Sequence, residues 1–97
     1  MTELMHHLAA EFISAEANST PLITVTNIRL SPDFREATVF VTVYPEAGEK
    51  EALIFLKRKR SDLRNFVKSR TKTEILPRFD FAIDEGEKNR QRVEELI

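Results

Sequence analysis

The chain has 97 residues, 41% of them hydrophobic and 32% charged, with two glycines and neither cysteine nor tryptophan. That length suits one core rather than two, so residues 1–97 are expected to form a single domain. The missing cysteines exclude disulfides, thiolate nucleophiles and cysteine-ligated zinc or iron–sulfur centres, and they suit a reducing, cytoplasmic compartment.

From Glu3 to Ala17 the apolar residues Leu4, Leu8, Phe12 and Ile13, with Met5 and Ala9 beside them, recur at helical spacing and predict an amphipathic first helix. Asn18 to Pro21 are turn formers. Leu22 to Leu30 reads as a strand, but its apolar parity changes: Ile23 and Val25 are odd-numbered, Ile28 and Leu30 even-numbered. A β-bulge near Thr26 and Asn27 is therefore expected. After Ser31 to Phe34, the residues Ala37, Val39, Val41 and Val43 alternate strictly with Thr38, Phe40, Thr42 and Tyr44, which completes a hairpin. Phe40 and Tyr44 face away from the valine stripe and are expected to be buried by a second layer formed by the terminal helices.

Glu49 to Arg58 predicts a short helix with Ala52, Leu53 and Leu56 inward. The next residues, Lys57 to Arg60, offer nothing to a core, and Ser61 followed by Asp62 reads as an N-cap with an acid in the first turn. A second helix is expected from there, burying Leu63, Phe66 and Val67. Pro77 ends the segment. A third strand over Arg78 to Asp84 buries Phe79, Phe81 and Ile83 and exposes Asp80 and Asp84, either solvated or paired with Arg78. A last helix over Glu87 to Ile97 makes apolar contacts through Val93, Leu96 and Ile97. The fold class is thus α+β, in the order α-β-β-α-α-β with an additional C-terminal helix, a K homology type II-like arrangement. The longest apolar run, Ala52 to Leu56, is far shorter than the roughly 20 residues that span a bilayer, and no export signal is expected at the start.

The net charge of −1 hides an asymmetry. Lys57 to Arg78 carries nine cations against two carboxylates, a net of +7, which leaves six cations and fourteen anions, −8, elsewhere. One basic face with an acidic remainder is the footprint of a polyanion binder. The candidate contacts are Lys57, Arg58, Lys59, Arg60, Ser61, Arg64, Lys68 and Lys72. Arg64, Lys68 and Lys72 share one helix side, and the amides near Ser61 to Arg64 are placed to receive a phosphate, with Asp62 opposing it.

With these elements in place, the stretch Ile23 to Glu46 resembles the hairpin of the ribosome-binding factor A family, bacterial assembly factors for the small ribosomal subunit. The resemblance is carried by Thr24 to Thr26, the turn Ser31 to Asp33, Ala37, and Val39 to Val43. Leu63 and Arg64 match the family's second helix, Pro77, Phe79, Phe81 and Asp84 match its later signature, and the tail RVEELI is similar. The family's alanine-x-glycine kink aligns with Lys59, Arg60 and Ser61, so the kink is expected to rest on Ser61 as a cap. Glu74 and Arg78 stand with signs reversed from the family's pair. The resemblance implies a K homology type II fold that binds precursor small-subunit ribosomal RNA without catalysis, helps its terminal and decoding-region helices mature, and leaves before translation. It implies the small subunit and its precursor RNA as partners; no membrane partner and no cofactor are expected, and a monomer is the default state.

Two other classes compete with that expectation: a K homology-like module that binds DNA or protein, and a nuclease. The only histidines, His6 and His7, are adjacent on a helix and diverge by about 100°, a poor chelate. Asp80 and Asp84 have no histidine partner in the strand pattern from which a hydrolytic site would be built.

Overall fold

Strict alternation makes the central strand. In the computed structural model, which describes residues 2–16, 22–72 and 75–96, Ala37, Val39, Val41 and Val43 all lie on one buried face of the strand Glu36–Tyr44, here β2. The strand Leu22–Leu30, β1, pairs with it antiparallel, and Arg78–Ile83, β3, pairs with it parallel, in the order β1-β2-β3. Phe79 stands beside Ala37, Phe81 beside Val39 and Ile83 beside Val41. The buried stripe therefore runs across the whole sheet.

The expected bulge is present, with the register shifting between Val25 and Asn27. Val25 then pairs with Val41 and Ile28 with Val39. One extra residue restores the inward face that the change of parity would otherwise have lost. At the far end of the hairpin, Ser31 Oγ donates to Asp33 Oδ1 at 2.7 Å, and the same oxygen accepts from the Arg35 amide at 3.1 Å.

Three helices cover the buried face. Thr2–Glu16, α1, contributes Met5, Leu8, Ala9, Phe12 and Ile13. Glu49–Arg58, α2, contributes Ala52 and Leu56. Arg60–Arg70, α3, contributes Leu63 and Val67. Burying a side chain of this kind stabilises the fold by about 1.5–3 kcal/mol, whereas neither α2 nor α3 has a side-chain hydrogen bond at its N-cap. Apolar packing, not capping, holds them. This is the α-β-β-α-α-β order of the K homology type II arrangement, followed by Glu85–Leu96, α4.

The last helix departs from expectation. It begins at Glu85 because Asp84 caps it, its Oδ1 accepting from the Glu87 amide at 3.0 Å while its carbonyl accepts from the Lys88 amide at 3.0 Å. Asp84 is thus no free strand acid; its Oδ2 also accepts from Thr26 Oγ1 at 2.5 Å, at the bulge. Polar contacts hold α4: Lys88 Nζ lies 3.0 Å from both Glu46 and Glu49, and Arg92 pairs with Glu46. Val93 is exposed rather than an apolar contact, and the side chains of Leu96 and Ile97 lie outside the described residues. The second layer expected over the opposite face is incomplete: Thr42, which shares a depression with Lys88 and Arg92 of α4, is buried, but its neighbours on that face are not. Tyr44 stays 69% exposed, and Phe40 is half-buried with the Arg29 guanidinium 5.3 Å above its ring.

Candidate nucleic-acid interface

Six polar positions separate the buried Leu56 and Leu63, and within them the chain turns from α2 into α3. A single residue, Lys59, intervenes, with φ −98° and ψ 7°. Its amide donates to the Leu56 carbonyl and its carbonyl accepts from the Leu63 amide, both at 2.9 Å. The Ser61 cap expected from sequence is not formed. With α2 running to Arg58, the N-cap position falls on Lys59, whose side chain has no acceptor, and Ser61 sits exposed in the first turn of α3. Backbone bonds hold the kink.

Several cations of the basic run are already answered. Lys57 Nζ lies 3.2 Å and Arg60 Nη1 3.3 Å from Asp80 Oδ1, and Arg60 Nε donates to the Lys57 carbonyl at 2.9 Å. Asp80 is thus paired across the junction with Lys57 and Arg60, where the strand pattern predicts an acid either solvated or paired with Arg78. Partial burial pushes the Asp80 carboxyl up, but the Phe81 amide, Lys57 and Arg60 outweigh it and hold the group below its ordinary value. Lys59 Nζ stands 3.6 Å from Glu16 and 3.8 Å from Asp62, and lies over the Phe55 ring. Arg70 pairs with Glu11 at 3.2 Å and covers the Phe66 ring. By contrast Arg58, Arg64, Lys68, Lys72 and Arg78 have no carboxylate within 4.0 Å among the described residues.

Arg60, Ser61 and Arg64 of α3 line a depression of about 290 Å³ together with Arg78 and Phe79 of β3. A second depression of about 200 Å³ continues it past Thr38 and Asp80, sharing Arg60, Arg78 and Phe79. Together they form a groove between α3 and the edge strand. Of the residues singled out from sequence, Arg60, Ser61 and Arg64 meet in it. Lys57 and Lys59 turn toward acids, and Arg58, Lys68 and Lys72 are outside its lining. Arg78 was counted in the basic run but not among the candidate contacts; its even parity beside inward Phe79 was the available signal. Glu74, its suggested partner, lies outside the described residues. The groove thus brings together two guanidiniums from different elements, Arg64 and Arg78, that have no carboxylate partner within 4.0 Å among the described residues, while the carboxylates of Glu36 and Asp80 line its far part. Of the two histidines, His6 places its Nε2 3.2 Å from the Val25 carbonyl, and His7 is exposed.

A family model described as Ribosome-binding factor A matches residues 1–97. The chain is 35% identical over 100 residues to the ribosome-binding factor A of Rhodopseudomonas palustris (strain HaA2), a match covering 98% of this chain and 74% of that protein. It is 28% identical over 99 residues to that of Coxiella burnetii (strain Dugway 5J108-111), covering 100% and 83%. Its fold is similar to the crystal structure of ribosome-binding factor A from Thermus thermophilus, with a TM-score of 0.75 and 30% identity over 84% of this chain and 90% of that one. It is also similar to a homology model of the Thermus thermophilus factor fitted into the cryo-EM map of a 30S complex, with a TM-score of 0.69 and 27% identity over 84% and 88%.

Proposed function

The chain belongs to the ribosome-binding factor A family, and on that premise we propose that it is a small-subunit assembly factor that binds precursor ribosomal RNA without catalysis. It acts in the cytoplasm as a single-domain monomer. The observation that carries the reading is the groove between α3 and β3, where Arg64 and Arg78 have no internal carboxylate partner among the described residues. Phosphate contacts by such residues release counterions, so binding should weaken steeply with salt. A rigid domain suits structured RNA, which is recognised through shape and backbone.

Cosedimentation with immature small subunits at rising salt tests this. We expect the intact chain to associate, Lys59→Glu with Arg60→Glu to weaken association, and Arg64→Glu to weaken it as well. Association unchanged in both variants would remove the basic groove from the mechanism. Equal competition by single-stranded DNA, or retention at high salt, would replace RNA recognition by a DNA- or protein-binding role.

A further inference from the structure

Beyond Arg64 and Arg78, the groove opens into a larger chamber of about 690 Å³ at the hairpin tip. Its floor is apolar, made by Met5, Leu30, Leu76 and Pro77. Two exposed side chains flank it: Phe34 at 64% and Ile75 at 86%. Arg35, Arg64 and Arg78 complete the lining, against one carboxylate among the described residues, Asp33. That carboxylate is committed to its own turn, accepting from the Ser31 hydroxyl and the Arg35 amide and lying 4.0 Å from the Arg35 guanidinium, so the charge open to an occupant is that of Arg64 and Arg78.

Phe34 is held in a conformation that bulky residues disfavour. Its φ is +59°, the one positive value on a non-glycine residue among the described residues. Its amide donates to the Ser31 carbonyl at 2.9 Å, and the Ser31 amide to the Glu36 carbonyl at 2.9 Å. The turn therefore keeps an aromatic ring at the mouth of an apolar cavity instead of folding it into the core. A strained residue fixed at a cavity mouth is a reason to look for an occupant.

We propose that this chamber seats one unstacked nucleotide of single-stranded RNA, with its base against Phe34 and the apolar floor and its phosphate between Arg64 and Arg78. The proposal rests on the RNA-binding role above and locates one contact within it. The charge balance selects an anion. The apolar floor and aromatic wall select a flat, unpaired base, because every base has a face that stacks on a ring. A duplex does not fit, since its bases are already paired and stacked. Arg64 and Arg78 line both this chamber and the adjoining groove, so the strand continues from one into the other toward Arg60.

The chain has no tryptophan, so Phe34→Trp provides a single reporter at the chamber mouth with little change of shape. The probes are a seven-nucleotide oligoadenylate, the same ribose-phosphate length without bases, a short RNA duplex and polyglutamate. We expect oligoadenylate to quench the reporter, with the abasic strand and the duplex quenching little at equal phosphate. In the Phe34→Ala chain, oligoadenylate affinity by anisotropy should fall at least about fivefold, as loss of a base–aromatic stack predicts. Quenching by duplex or polyglutamate equal to that by oligoadenylate would overturn the proposal, as would undiminished affinity in Phe34→Ala. If Phe34→Trp still cosediments with small subunits but oligoadenylate does not quench it, the chamber is refuted and the assembly role stands. If the intact chain neither cosediments nor binds oligoadenylate, both fall.

Discussion

Lys57 Nζ on the second helix stands 3.2 Å from Asp80 Oδ1 on the third strand, and Arg60 reaches the same oxygen at 3.3 Å. A carboxylate of the chain thus occupies the place beside these two cations that a phosphate oxygen would take. RNA engaging this end of the groove must compete with it.

Asp80→Asn should therefore tighten RNA binding. The slope of log K against log salt should steepen by about 0.7–0.9 for each phosphate newly engaged. The side chains of the three residues are 42–48% exposed, so the lost pairs should cost only about 0.2–1 kcal/mol of stability. Salt-dependent filter binding or cosedimentation checks the slope, and weaker binding by the variant would show that Asp80 supports the site instead of competing for it.

Ser61→Ala separates the two accounts of the kink. A true N-cap serine would cost about 0.5–2 kcal/mol on truncation. Since Lys59 holds the cap position and Ser61 is exposed, the change in urea denaturation should stay within about 0.5 kcal/mol. A larger loss would restore the capping role.

Leu63 is fully buried in the cluster under the sheet. Leu63→Ala should destabilise the chain by about 2–5 kcal/mol, the transfer and cavity cost of such a truncation. The same variant tests whether α3 is held by packing, since no side-chain cap is present to hold it. Denaturation showing a loss of less than about 1 kcal/mol would contradict the packing described.

Asp84 has its carboxyl lowered from the ordinary 3.8, chiefly by the Thr26 hydroxyl and then by the Glu87 amide. A group lowered on folding adds stability above its unfolded value and loses it as the pH falls through the folded one. Asp84→Asn keeps an oxygen for the Glu87 amide but removes the charge at the start of α4. Its melting temperature should lie below that of the parent chain at neutral pH, and the gap should close as the pH is taken well below 3.8. A gap that persists at low pH would mean the charge is not the source.

Much of the fold was legible because it is written in local period. The strict alternation of Ala37 to Tyr44 and the spacing of Leu56, Leu63 and Val67 set which face of each element is apolar, and the lost parity after Val25 announced the bulge. The cap differs from the expectation for a local reason too: Ser61 has the right chemistry two positions past the cap, since only Lys59 separates the two helices.

The concentration of positive charge between Lys57 and Arg78 is likewise a property of the sequence alone, as is the resemblance of the hairpin. Which of those cations face a carboxylate is not. Lys57 and Asp80 are 23 positions apart and Arg70 and Glu11 are 59 apart, and their meeting depends on how α1, α2 and α3 settle on the sheet. Packing of apolar faces places those helices, and the charges pair with whatever that packing brings near. Tertiary structure therefore decided that Arg64 and Arg78 share a groove while Lys59 is answered by Glu16, and it left Tyr44 exposed where a covering helix was expected.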